Sequence, residues 1–291
     1  MPLASQVLDL VQAALTEDLA DTGDITTALT VEGRGPPGTA RILAKASGCL
    51  SGMELALEVF ARVDPDVEVK LEKRDGDLVE PGMLVLEARG PAASLLEAER
   101  TALNFLGRLS GVASLTRSFV EQVAGTKACI VDTRKTTPGW RSLEKAAVLH
   151  GGGVNHRIGL YDEVLLKENH FAMAGELNHR ELVERVKANA PSGMRITAEA
   201  QDLDEARAEA DGGVDAILLD NFDPVGLREA VRALDEHPRR AEFELEASGG
   251  ITLMNVAAMA ATGVDRISIG ALTHSAPALD LSLLLEADRT S

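Results

Sequence analysis

"MRITAEAQDLDEARAEADGGVDAILLDNF", Met194 to Phe222, is the stretch on which the fold turns. It reads as an apolar strand, an amphipathic helix closed by Gly212-Gly213, and a second apolar strand ending in Asp220. Two strands joined by a helix of that length must run parallel, with a right-handed crossover. The rhythm extends in both directions. Strand-like "ACIVDT" (128–133), "DEVLLK" (162–167), "FELEAS" (243–248) and "DRISIG" (265–270) alternate with helical segments such as "RELVERVKANA" and "PVGLREAVRALDEH". Six such units in about 145 residues predict a parallel α/β barrel short of the usual eight strands. A doubly wound open sheet is the alternative, but no G-x-G-x-x-G follows a first strand to mark a dinucleotide site.

Before Gly125 the pattern is different. "TARILAK", "VEVKLEKRDGDLVEPG" and "MLVLEARG" are short strands and turns, with Val67, Val69 and Leu71 alternating along one face. The run from Ala92 to Val123 carries Leu95, Leu96, Leu103, Phe105, Leu106 and Leu109 at helical spacing. A break is expected near Ser110-Gly111, which places one domain at 1–111 and the barrel at 112–277. A C-terminal helix near 278–291 is expected to pack back on the first domain. Arg100 reads by periodicity as an arginine on a solvated helix face.

Composition narrows the function. The 291 residues carry a formal net charge of −17, which disfavours the counterion release that nonspecific nucleic-acid binding requires. No segment approaches the roughly 20 apolar residues of a membrane span. The N-terminus lacks the basic flank of a signal peptide, so a cytoplasmic protein is expected. Cys49 and Cys129 have no metal-like spacing and are expected to be reduced thiols.

Against that acidic background, Arg134-Lys135, His156-Arg157 and Lys167 crowd around Pro and Gly turns, the pattern of a preformed anion site. The strand ends supply the rest: Asp132, Lys167, Glu199, Asp220, Ser248-Gly249-Gly250, and Gly270 with His274 a turn later. In a barrel these ends converge on one rim, where such folds place their active sites. Arginine forks suit a small substrate with more than one negative group. The glycines let backbone approach an oxyanion. Glu199 and Asp220 suit Mg²⁺ held partly through water better than an acid/base pair, which would need raised pKa values. His156, His170 and His274 lack the spacing of a metal triad.

"ERTALNFLGRLSGVASLT", "DTRKTTPGWRSLEKAAVLHGGGVNHRIGLYDEVLLKENH", "LLDNF", "EASGGI" and "ISIGALTHS" closely resemble the quinolinate phosphoribosyltransferase family, and the likeness begins at "TEDLADTGDITT". The resemblance implies an N-terminal α/β sandwich domain, an incomplete α/β barrel, and a homodimer or larger dimer-based assembly with shared active sites. It implies conversion of quinolinate and phosphoribosyl pyrophosphate to nicotinate mononucleotide, pyrophosphate and CO₂, with Mg²⁺. Arg134, His156, Arg157 and Lys167 match the quinolinate-binding cations. Arg100 matches an arginine that reaches a neighbouring subunit's site, which replaces the solvated-face assignment. Lys135, Lys167, Ser248, Gly249, Gly270 and His274 match positions that bind phosphoribosyl pyrophosphate. Lys135, Glu199 and Asp220 are the implied catalytic residues, and Glu199 and Asp220 the metal ligands. In this sequence Ala20 stands where the family commonly has Gly, Trp140 where Leu is common, and Gln201 where a second acid often follows Glu199. Competing functions are transfer to another aromatic acid, or a non-catalytic nucleotide-binding homologue.

Overall fold

The computed structural model describes residues 5–288, which form two compact units. One comprises residues up to Leu115, His150–Gly152 and residues from Ala276; the other comprises Thr116–Leu149 and Gly153–Ser275. Among the described residues no helix is long and apolar enough to cross a membrane.

The first unit contains α1 (Ser5–Leu19), α2 (Ile25–Thr30), β1 (Pro37–Ala44), β2 (Gly48–Cys49), α3 (Met53–Val63), β3 (Glu68–Leu71), β4 (Leu78–Val79) and β5 (Leu84–Pro91). β3, β5 and β1 pair antiparallel, and Leu281–Ala287 adds a fourth strand at the free edge of β1. The expected C-terminal helix is therefore a strand. The apolar run after Pro277 is short, and the open β1 edge satisfies its backbone. Arg41 Nη1 donates to Glu286 at 2.9 Å across that pairing. α1 ends where Ala20 takes φ 46°, the left-handed conformation that costs an L-residue about 1 kcal/mol and that glycine adopts freely.

α4 (Ala92–Gln122) is one continuous helix of 31 residues, and the expected break at Ser110-Gly111 does not occur. A Cβ at Gly111 would lie 2.0 Å from the Pro277 carbonyl oxygen. That glycine permits close backbone approach and does not end the helix.

The second unit contains β6 (Cys129–Val131), α5 (Arg141–His150), β7 (Val164–Leu166), α6 (Glu168–Ala172), α7 (His179–Asn189), β8 (Ile196–Ala200), α8 (Leu203–Gly212), β9 (Ala216–Asp220), α9 (Pro224–Asp235), β10 (Glu244–Ser248), α10 (Val256–Ala260), β11 (Arg266–Ser268) and α11 (Ala271–His274). Its strands are all parallel in the order β6-β11-β10-β9-β8-β7. Sequential strands are neighbours and the first lies beside the last, which is barrel order interrupted between β6 and β7. A doubly wound sheet would instead grow outward from a central first strand. β8 is buried throughout and β9 all but its last residue, as a sheet covered on both faces requires.

Short polar residues start the helices that return the chain. Asn178 Oδ1 accepts from Glu181 N–H at 3.0 Å, Asp202 from Glu205 N–H at 2.9 Å, and Asp223 from Gly226 N–H at 2.7 Å with Pro224 at the first helical position.

Candidate active site

Strand periodicity builds one wall of a cleft of about 780 Å³ at the C-terminal ends of these strands. Side chains two residues apart share a face, and four strand ends each give such a pair: Leu165 and Lys167, Leu218 and Asp220, Glu246 and Ser248, Ser268 and Gly270. Glu199 enters from β8, and the loops add Arg134, Lys135, His156, Arg157, Gly249 and His274. Of the strand-end and loop residues expected on the barrel's rim, all line this one cavity except Asp132, which is fully buried behind it. Arg100 is not among the lining residues; it lies exposed on α4.

On the cationic side, neither Arg134 nor Arg157 forms a salt bridge among the described residues. Arg134 Nε is buried without a hydrogen-bond partner. Arg157 Nη1 donates to the Glu163 carbonyl at 3.1 Å, and burial together with the neighbouring Arg134 charge holds the Arg157 guanidinium below its ordinary pKa. A guanidinium depressed in this way is relieved by a negative ligand.

His156 departs from the expectation of a cation. Burial, aided by the charges of Arg266, Lys145, Arg157 and Arg195, lowers its pKa to about 3. The ring is neutral near pH 7, with Nδ1 accepting the Arg157 N–H at 2.8 Å. Its proton therefore sits on Nε2, and His156 offers a hydrogen-bond donor where a charge was expected.

On the other side, Lys167 Nζ is ion-paired with Glu199, which joins the cationic and acidic halves of the cleft. Lys167 N–H donates to His170 Nδ1 at 2.9 Å, so His170 shapes the turn that presents Lys167. Asp220 Oδ2 accepts from Asn221 Nδ2 at 2.6 Å. A Cβ on Gly249, at φ 90°, would lie 2.1 Å from Asn221 Oδ1; one on Gly270 would lie 2.9 Å from Lys135 Cδ and 3.2 Å from His274 Nε2. Glycine at these two positions lets Asn221, Lys135 and His274 close in around the backbone. Gly270 opens directly into α11, whereas residues 251–255 separate Gly250 from α10.

Glu246 is a functional-site residue that sequence reasoning missed. It is 1% exposed; Oε2 accepts from Arg266 Nε at 3.0 Å, while Oε1 has no hydrogen-bond partner and lies 3.7 Å from His156 Nε2. Burial pushes its carboxyl pKa up against the pull of Arg266. The signal was available in "FELEAS": Glu246 precedes Ser248 by two and so shares its face.

Residues 24–110 match the family model described as quinolinate phosphoribosyl transferase, N-terminal domain, and residues 112–284 match its C-terminal domain. A probable nicotinate-nucleotide pyrophosphorylase [carboxylating] of Bacillus subtilis is 41% identical over 84% of this chain and 82% of its own length. The chloroplastic nicotinate-nucleotide pyrophosphorylase [carboxylating] of rice, Oryza sativa subsp. japonica, is 37% identical over 99% of this chain and 80% of its own. The solved nicotinate-nucleotide pyrophosphorylase of Francisella tularensis superposes with a TM-score of 0.91 at 37% identity, covering 98% of each chain.

Proposed function

The chain belongs to the quinolinate phosphoribosyltransferase family, and we propose that it joins quinolinate to phosphoribosyl pyrophosphate, yielding nicotinate mononucleotide, pyrophosphate and CO₂ for NAD biosynthesis. The observation that carries this is the pairing, in one cleft, of two arginines that form no salt bridge among the described residues with two carboxylates at the neighbouring strand ends.

Quinolinate carries two adjacent carboxylates. Arg134, Arg157 and Lys167 neutralise them and orient the ring nitrogen, while neutral His156 contributes its Nε2–H. Glu199 and Asp220 stabilise the positive charge that develops at the ribose anomeric carbon as pyrophosphate departs. The backbone at Ser248-Gly249 and Gly270, with Lys135 and His274, receives phosphate oxygens. Once the ring nitrogen is ribosylated, the adjacent carboxylate leaves as CO₂. The electron pair left on that ring carbon is stabilised by the adjacent nitrogen cation until the carbon takes a proton from solvent.

Among the described residues no group of three or more His, Cys, Asp or Glu is arranged to hold a metal alone. Mg²⁺ needs no such cage, since it binds through one or two carboxylates together with substrate phosphates, and Glu199 and Asp220 fit that role. Bound there, it would neutralise the leaving pyrophosphate. A homodimer in which Arg100 completes the partner's site is supported by the exposure of Arg100 away from its own cleft's lining. Mixed dimers of Arg100→Ala and Lys135→Ala chains would then regain activity. A cytoplasmic setting is supported by Cys49 and Cys129, which are thiols with no disulfide between them.

The overall test tracks pyrophosphate and CO₂ with quinolinate or nicotinate as acceptor. Equal release of both products from quinolinate and none from nicotinate is expected; turnover of nicotinate alone would reverse the assignment.

A further inference from the structure

Asp132, just past the end of β6, is fully buried and ion-paired with Lys145 of α5, which is 2% exposed. A pair so enclosed is weak evidence of stabilisation, because desolvating two ions cancels much of their attraction. Its other bonds indicate a different use. Asp132 Oδ1 accepts the His156 N–H at 2.9 Å, and Lys145 Nζ donates to the His156 carbonyl at 2.9 Å. Both main-chain polar groups of one residue end on the two ions. Asn155, with its amide nitrogen turned inward, donates to Asp132 Oδ2 at 2.6 Å and to the Lys145 carbonyl at 2.9 Å.

Residues 155–157 belong to no helix or strand, and the one ladder contact beside them is the Val131–Val154 bridge. The segment therefore has no sheet to fix its position. Yet that position sets two side chains of the site: the His156 ring, pinned at Nδ1 by the Arg157 N–H, and the Arg157 guanidinium, pinned to the Glu163 carbonyl. Neither Asp132 nor Lys145 lines the cleft. Charge-assisted hydrogen bonds are shorter and more strongly directed than neutral ones, which suits an irregular segment that must hold its side chains within about half an ångström.

We infer that the buried Asp132–Lys145 pair is a positioning device for acceptor recognition: it fixes the His156–Arg157 segment against the cleft without touching substrate. The inference rests on the assignment of quinolinate to that side of the cleft.

The test uses the full-length enzyme. Asp132→Asn combined with Lys145→Met removes both charges of the pair and the donor to the His156 carbonyl; Lys145→Gln alone retains a neutral donor. The double variant is expected to raise KM and Kd for quinolinate about ten- to a hundredfold, with KM for phosphoribosyl pyrophosphate changed by no more than about twofold and Lys145→Gln in between. A pair that merely supports the fold would lower Tm and the yield of active enzyme while leaving both KM values unchanged, and that outcome overturns the inference. Hydrogen exchange on the wild-type protein gives an answer even if the variants do not fold. The His156 amide should be as protected as those of Ile217 and Leu218, and exchange as fast as at Leu160 and Tyr161 would overturn the pinning. Quinolinate titration of the wild type separates the two failures. No binding there removes the acceptor assignment itself, whereas wild-type binding matched by the variants removes only the positioning role.

Discussion

Replacing Arg134 with methionine should weaken acceptor binding while leaving the empty enzyme as stable as before, or more so. Arg134 Nε is a buried donor without a partner, and its charge depresses the pKa of Arg157. An unsatisfied buried donor costs about 1–3 kcal/mol, so removing it should relieve on the order of 1 kcal/mol after the loss of solvated Nη contacts. In a chain of 291 residues that corresponds to a Tm rise of roughly 1–2 °C. Ligand binding moves the other way. Losing a charge-assisted contact to an enclosed carboxylate costs about 2–4 kcal/mol, or roughly a 30- to 700-fold rise in Kd. Calorimetry with quinolinate and thermal melts of the ligand-free protein measure the two effects separately. A variant with lower Tm and unchanged Kd would show that Arg134 supports the fold and does not await an anion.

Three further outcomes are expected. Glu199→Gln and Asp220→Asn should each lower kcat about 100-fold or more with little change in quinolinate Kd; rescue by added Mg²⁺ would separate metal holding from direct charge stabilisation. Glu209 is fully buried, and burial raises its pKa from 4.5 to about 7 against the pull of His179, whose own pKa is raised by that carboxylate. The folded chain therefore binds more protons than the unfolded one above pH 4.5, so stability should fall by on the order of 2–3 kcal/mol as pH rises through about 7; Glu209→Gln should flatten that decline in Tm, and an unaltered slope would contradict it. Ala20→Gly, at φ 46°, should stabilise by about 1 kcal/mol without affecting activity, as a denaturant titration would register.

The barrel was legible because its signal is repetitive. Each strand is a short apolar run, each ends in a charged, small or Gly residue, and those ends are the cleft. Ser248 was legible as a strand end, and period 2 counted back from it puts Glu246 on the cleft face, but a glutamate inside a strand gives no sign of what it will meet. The Gly111 misreading has a different origin. Glycine marks both helix ends and close approaches, and the Pro277 carbonyl that distinguishes them here lies 166 positions away. The C-terminal strand was hidden for the same reason, since its conformation is set by the free edge of β1, far away in sequence. His156 was legible as a site residue but not as a neutral one, because that state is set by its burial together with Arg157 beside it and with Arg266, Lys145 and Arg195 from elsewhere in the chain.

Long-range neutralisation also explains how an acidic chain keeps a cationic cleft. With 46 acids against 29 bases, an exposed arginine is easily quenched by a neighbouring carboxylate. Among the described residues Arg134 and Arg157 form no salt bridge, although Glu163 and Glu246 both lie within 4 Å of the neighbouring His156 ring. Other bases engage these acids: Arg266 Nε holds Glu246 at 3.0 Å and Arg195 Nε lies 3.7 Å from Glu163, while Lys145 pairs with the nearby Asp132. A second, inner layer of bases thus takes up the local carboxylates, and the outer layer stays available. Net charge says nothing about this arrangement, because the quantity that matters is which base each acid reaches. For the proposed dianionic acceptor this means guanidinium groups with no carboxylate in salt-bridge contact, so that its own carboxylates supply the first direct counterions.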